Sequence, residues 1–143
     1  LVTIRTDCGD AAREDAMNRR SIHAEGYRHA AAIPTASRIG PLLASSVIAP
    51  FDVDARTMPH DAEGQARNVF RHIGAILDAG EASWDDVLKV TFFVAESDLR
   101  TVVEPLWVER FPDEDSRPAR HIQVTSLPGR VLVQAEFLAY VDR

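Results

Sequence analysis

Residues 60–95, HDAEGQARNVFRHIGAILDAGEASWDDVLKVTFFVA, decide the fold. In the first half Ala62, Ala66, Val69, Ile73, Ile76 and Leu77 recur at three- and four-residue spacing, which puts them on one stripe of a helix. Asp61 stands at the N-cap position, and Gly80 stands where a left-handed residue would stop the helix. The second half clusters Val87, Val90, Thr91, Phe92, Phe93 and Val94, the β-branched and aromatic types that fit a pleated surface. Its near-continuous apolar run predicts a strand covered on both faces.

Upstream, ASRIGPLLASSVIAPFDV (36–53) reads as a strand pair bent at Gly40-Pro41, with LLASSVIA as the more buried member and Pro50 ending it. Ser45 and Ser46 there leave two readings open, room for a ligand or close packing. Downstream, SDLRTVVEPLWVERF (97–111) places Leu99, Val102, Val103, Leu106 and Trp107 on one side of a second helix, with Ser97 as its cap and Pro105 as a local disturbance. RHIQVTSLPGRVLVQAEFLAYV (120–141) reads as two strands around SLPGR, an antiparallel hairpin. The element order strand–strand–helix–strand–helix–strand–strand implies an α+β fold with two helices on one face of a mixed sheet. In the last strand Val131, Val133, Ala135, Phe137, Ala139 and Val141 share one side, and Leu132, Gln134, Glu136, Leu138 and Tyr140 the other. That second, mixed side suits an oligomer interface; a solvated face is the alternative.

A chain of 143 residues supports one modest core. Residues 1–28 are read as an N-terminal extension, with a short helix over 11–19, a stretch that packs along the body or a partly mobile tail all open, and residues 29–143 as a single domain. Sixteen basic against 22 acidic residues give a net charge of −6, which disfavours a phosphate-neutralising nucleic-acid surface. Lys89 is the only lysine among the basic residues, so the basic set is almost wholly arginine, suited to planar contacts with carboxylates. Cys8 is the only cysteine, which rules out a disulfide or thiolate cage within the chain. No apolar run approaches the length of a membrane span and no secretory signal is visible, so a cytoplasmic protein is expected, with no membrane partner.

Motifs for chemistry are few. His23, His29, His60, His72 and His121 form no HxH or HExxH pattern, and no metal is expected. His72, beside Arg71, is read as a surface residue. No GxSxG, Walker or GxGxxG motif is present. The strongest local feature is DSRPARHIQVTSLPGR (115–130), in which Pro118 stiffens the approach to a strand and Arg120 stands at its entry. An arginine so held can present two parallel N–H groups to a carboxylate; a surface arginine at a sheet edge is the plainer reading.

RPARHIQVTSLPGRVLVQAEFLAYV (117–141) resembles the closing region of the RidA/YjgF/UK114 family of reactive-intermediate deaminases. EGQARNVFRHIGAILDAGEASWDDVLKVTFFVAESDL (63–99) is similar to that family's helix, Ala-Gly and DV(V/L)KxTxFx pattern, and ASRIGPLLASSVIAP is a weaker match to its first hairpin. The resemblance covers residues 30–141. It implies a chorismate-mutase-like (bacillus-type) fold, a homotrimer with clefts between subunits, and hydrolysis of small enamine or imine acids such as 2-aminoacrylate to a 2-keto acid and ammonia. It implies no cofactor or metal, and it assigns Arg120 to the carboxylate of the ligand. The amine would be oriented by backbone groups near Phe93 and Val94. A binding or regulatory protein of the same fold is the alternative function.

This sequence departs from the family pattern in several places. The usual glutamate seven residues after the Leu of the VxxLP segment is Gln134, which can orient water but is no base near neutral pH. Glu136 follows on the same strand face. Arg120 precedes Leu127 by seven residues where the family has eight, which reverses side-chain parity unless an irregularity absorbs it. In an ideal hairpin His121 would face Glu136 and Gln123 would face Gln134, making His121 and Glu136 a replacement proton-handling pair beside Arg120. The glycine–proline–tyrosine start is replaced by Ile33-Pro34-Thr35-Ala36-Ser37, and the asparagine of the second helix by Val103 or Glu104.

Overall fold

A computed structural model of the chain describes residues 18–143. Cys8 and most of the helix expected over 11–19 lie outside the described residues. Six strands form one sheet: β1 (Arg20–Ile22), β2 (Ala36–Ile39), β3 (Leu42–Ser45), β4 (Val87–Val94), β5 (Ala119–Val124) and β6 (Val133–Tyr140). Helices α1 (Ala62–Ala79) and α2 (Arg100–Arg110) pack together on one face. The sheet order is β1-β2-β3-β6-β4-β5, antiparallel throughout except for the parallel pair β4–β5.

The alternation read in the last strand holds. Val133, Ala135, Phe137 and Ala139 are buried against the helices, and Gln134, Glu136, Leu138 and Tyr140 face the other way. Val69, Ile73, Ile76 and Leu77 from α1 meet Val90, Phe92 and Val94 from β4 in the same core. Each such side chain, fully removed from water, contributes roughly 1.5–3 kcal/mol. The other face of β4 is not covered: Lys89 is exposed, and Thr91 and Phe93 are half-buried. The expected two-sided burial is therefore one-sided within this chain.

Asp61 caps α1 as read, its carboxylate accepting the Gly64 N–H at 3.0 Å. Gly80 ends the helix for a different reason from the one its type suggests. Its φ is −86°, and the left-handed residue is Glu81, at φ 59°. Glycine is needed at 80 because a Cβ there would lie 2.7 Å from Leu43 Cδ2. Arg38 completes this end, donating to the Gly80 carbonyl at 2.6 Å. Ser97 does not cap α2 through its side chain; it opens a 3₁₀ turn, Ser97–Leu99, that leads into the helix.

Further expectations are corrected by the strand pairing and the burial. β5 and β6 do not form a hairpin. Both pair with β4, on opposite sides, and the connection 125–132 passes the end of β4, with Thr125 N–H bonded to the Val94 carbonyl and Ala95 N–H to that of Leu132. β4, α2 and β5 instead make a β-α-β unit, in which the helix carries the chain back to a parallel strand. Of residues 1–28, those described pack along the body: β1 pairs with β2, and Ile22, Ala24 and Tyr27 are buried. Leu42–Ser45 alternates in burial and is no more buried than its partner β2.

Candidate active site

Parity along β5 decides where the chemistry can meet. The register aligns Arg120 with Val90 and Ile122 with Phe92, on the helix side of the sheet; His121 aligns with Thr91 and Gln123 with Phe93, on the open side. Across β4, Thr91 also aligns with Glu136, and Phe93 with Gln134. His121 and Glu136 therefore share a row but stand two strand spacings apart, roughly 10 Å, with Thr91 between them. They do not face each other, nor do Gln123 and Gln134. Arg120 projects on the opposite side of the sheet from His121, Gln134 and Glu136. β5 and β6 each take their register from β4, so the length of the 125–132 connection does not set the facing of Arg120 relative to Gln134.

Arg120 sits at the outer strand under α2. Its guanidinium carbon lies 5.1 Å from the centre of the Trp107 ring, and Nη1 donates to Glu104 Oε2 at 2.7 Å. Trp107 is itself fixed by Phe111 and Phe92, at ring separations of 4.7 and 6.1 Å. A cation over a tryptophan face is worth about 0.5–2 kcal/mol, whereas a half-exposed ion pair contributes about 1 kcal/mol or less. The aromatic platform therefore holds the guanidinium at least as firmly as Glu104 does. A groove of about 500 Å³ opens here between α2 and β5, lined by Arg100, Thr101, Glu104, Arg120, His121 and Ile122. A larger space of about 700 Å³ lies between residues 23–28 and 51–56; His23 lines it, but none of the residues assigned to catalysis or ligand binding from the sequence does.

The remaining sequence candidates are positioned as follows. Gln134 is half-buried and Glu136 exposed on the open face. Phe93 lies beside Gln134 with its side chain on that face, and Val94 is fully buried. β4 is an interior strand, so its backbone groups in this stretch are taken up by the ladders on either side; the Val94 carbonyl already accepts the Thr125 N–H. Ser45 and Ser46 serve packing: Ser45 Oγ accepts the Phe137 N–H at 2.8 Å where the β3–β6 ladder runs out, and Ser46 Oγ donates to the Pro34 carbonyl. Among the described residues no group of three or more His, Cys, Asp or Glu side chains is arranged to hold a metal ion, and no helix is long and apolar enough to cross a membrane.

The sequence reading missed a polar stripe on α1. Gln65, Asn68 and His72 are all buried, and their spacing of three and four marks one helix face. Gln65 Nε2 donates to the Pro59 and Arg130 carbonyls, and its Oε1 accepts the Leu132 N–H at 2.7 Å. Asn68 donates to the Pro50 carbonyl and to Asp52. His72 is not a surface residue. Its Nε2 donates to the Phe51 carbonyl at 2.6 Å, an acceptor that keeps a proton on that nitrogen, and Tyr27 packs on its ring.

Burial holds the His72 imidazole below its ordinary pKa, partly offset by the Phe51 bond, and burial does the same to His29. A histidine with a depressed folded pKa takes up protons on unfolding, so its stabilisation is intact above about pH 6.5 and is lost as pH falls below that value. The urea midpoint is expected to drop between pH 7.5 and 5.5, and His72→Gln is expected to flatten part of that slope. An unchanged slope in the variant would remove His72 from the account.

Comparison with known proteins follows the same lines. Residues 24–141 match the protein family described as Endoribonuclease L-PSP. The RutC family protein PH0854 of Pyrococcus horikoshii is 36% identical over 83 residues, spanning 57% of this chain and 64% of that protein, so the matched stretch covers slightly under two thirds of this relative. The fold is shared with RidA from the Antarctic bacterium Psychrobacter sp. PAMC 21119 (TM-score 0.78, 24% identity, 85% of this chain and 99% of that one). It is also shared with the YjgF gene product of E. coli (TM-score 0.77, 24% identity, 87% and 99%). The matched span contains both helices, strands β2 to β6 and Arg120, and the chain belongs to the RidA/YjgF, or Endoribonuclease L-PSP, family.

Proposed function

We propose that the protein hydrolyses a small enamine or imine carboxylic acid to a keto acid and ammonia, with Arg120 holding the carboxylate. The observation that carries this is the Arg120 guanidinium, set over Trp107 in an open groove and, among the described residues, with only Nη1 in an ion pair. Family membership supports the reaction class. The enamine tautomerises to the imine, water adds to the imine carbon, and the carbinolamine loses ammonia, so that C=NH and H₂O become C=O and NH₃. The chain's task is to hold the acid still and out of bulk water.

The homotrimer implied by the resemblance is part of this proposal. Arg120 and Gln134 project from opposite sides of the sheet in one chain, so a cleft using both needs a second copy. The open face carries Leu42 and Tyr140, each about half exposed, with Phe93 and Leu138 between polar neighbours, and β5 is an outer strand with an unpaired edge. Gln134 of one copy would then orient water toward the acid held by Arg120 of the next, with His121 and Glu136 at the margin of that cleft. Gln134 itself favours a second reading, a trimeric carboxylate-binding protein without turnover, since a neutral amide does not take a proton from water. RNA cleavage is set against by the net charge of −6.

The test is to generate 2-aminoacrylate in situ and follow pyruvate. Release at least tenfold above the uncatalysed rate is expected. Release at the background rate, with pyruvate still bound, favours the binding protein.

A further inference from the structure

We propose that Glu104 is a specificity-determining residue which, paired with Arg120, makes the groove select a ligand carrying a carboxylate next to a cationic nitrogen. This deepens the reading above and rests on it. The ligand class is the protonated imino acid, or a zwitterionic amino acid as its stable mimic.

A ligand carboxylate arriving at Arg120 meets a guanidinium whose Nη1 already donates to Glu104 Oε2 at 2.7 Å. Two carboxylates on one guanidinium repel each other unless a positive group lies between them. An iminium or ammonium beside the ligand carboxylate supplies that group, accepting Glu104 as its partner while Arg120 keeps the carboxylate. Glu104 can make this exchange without losing its place, because its side chain is 56% exposed and an ion pair open to water is weak. Arg120 stays in position through the exchange, because Trp107 supports it independently. Pro105, inside α2, has no N–H to give the carbonyl of Thr101, four residues earlier, and Thr101 lines the groove.

The dyad also accounts for turnover. The iminium is the form of the substrate most open to attack by water, and Glu104 favours it over the neutral imine. Hydrolysis converts C=NH₂⁺ and H₂O into C=O and NH₄⁺. The product keto acid is then a bare anion beside Glu104, and it is the species the dyad holds least.

Calorimetric titration of the full chain with L-alanine and with pyruvate tests this. The wild-type protein is expected to bind alanine about tenfold or more tightly than pyruvate, and Glu104→Gln to tighten pyruvate and weaken alanine so that the preference vanishes or reverses. Glu104 is a half-exposed helical position where glutamine is tolerated, and an unchanged melting curve certifies the variant. A wild-type protein that takes pyruvate at least as tightly as alanine, or holds neither, overturns the proposal, as does an unchanged ratio in Glu104→Gln. Failure of the carboxylate site itself shows separately: Arg120→Ala would then bind both ligands as the wild type does.

Discussion

Arg120→Ala is expected to lower kcat/KM for 2-aminoacrylate by at least a hundredfold while costing the fold only about 1 kcal/mol. The large effect comes from two charge-assisted hydrogen bonds to a carboxylate, each worth about 1.5–3 kcal/mol, and every 1.4 kcal/mol is tenfold in rate. The small one is the loss of the contact with Trp107 and the ion pair with Glu104, neither of which supports the core. Turnover and a urea melt on the same preparation separate the two. Turnover within threefold of the wild type would remove Arg120 from the site; a collapse of stability would make it a structural residue.

Gln65→Leu is expected to destabilise the protein by about 3 kcal/mol, the largest effect we anticipate from a single polar side chain here. Gln65 is 1% exposed, and its amide makes three hydrogen bonds, to the Pro59 and Arg130 carbonyls and the Leu132 N–H. Leucine has nearly the same volume, so no cavity is created; the cost is three backbone groups left without a partner, each worth about 1–3 kcal/mol where water cannot replace the bond. A domain of this size has a total stability of about 5–15 kcal/mol, so a shift of this kind is plain in the urea midpoint. A change below 1 kcal/mol would mean that water reaches these groups.

Much of the fold was legible in local pattern. The α1 stripe, the Asp61 cap and the alternation of the last strand are read from periodicity alone, since each depends on neighbours within a turn or two. The strand pairing was not. RHIQV and VQAEFLAY stand close in sequence and look like a hairpin, but pairing is settled by α2, which returns the chain to the far side of β4 and leaves no local trace in the residues of β5. Gly80 was identified as a helix terminator for the wrong reason, because the approach of Leu43 is a tertiary fact. Burial of His72 is legible one step further on. Gln65, Asn68 and His72 fall on a helical spacing beside the apolar stripe, and that spacing was visible.

The same asymmetry runs through the site. Arg120 is marked by the stiff Pro-Ala-Arg approach and by the family resemblance, so the sequence alone pointed to it. Glu104 meets it only because α2 lies over the outer strand. The His121–Glu136 pair failed with the hairpin on which it depended: both residues lie on the open face, but Thr91 stands between them.

The position of β6 between β3 and β4 has a bearing on how the chain folds. The two portions it joins, β1-β2-β3 and β4-α2-β5, have no strand pairing with each other, so each can form locally while the sheet as a whole remains open. Closure waits for the last strand, whose partners lie about a hundred residues back in β3 and about fifty back in β4. On the ribosome the body would spend its longest interval with two unzipped edges, those of β3 and β4, offering the same vacant slot. A β6 donated by another chain fits that slot as well as the chain's own. Domain exchange through this strand is the misassembly to which the topology is most exposed.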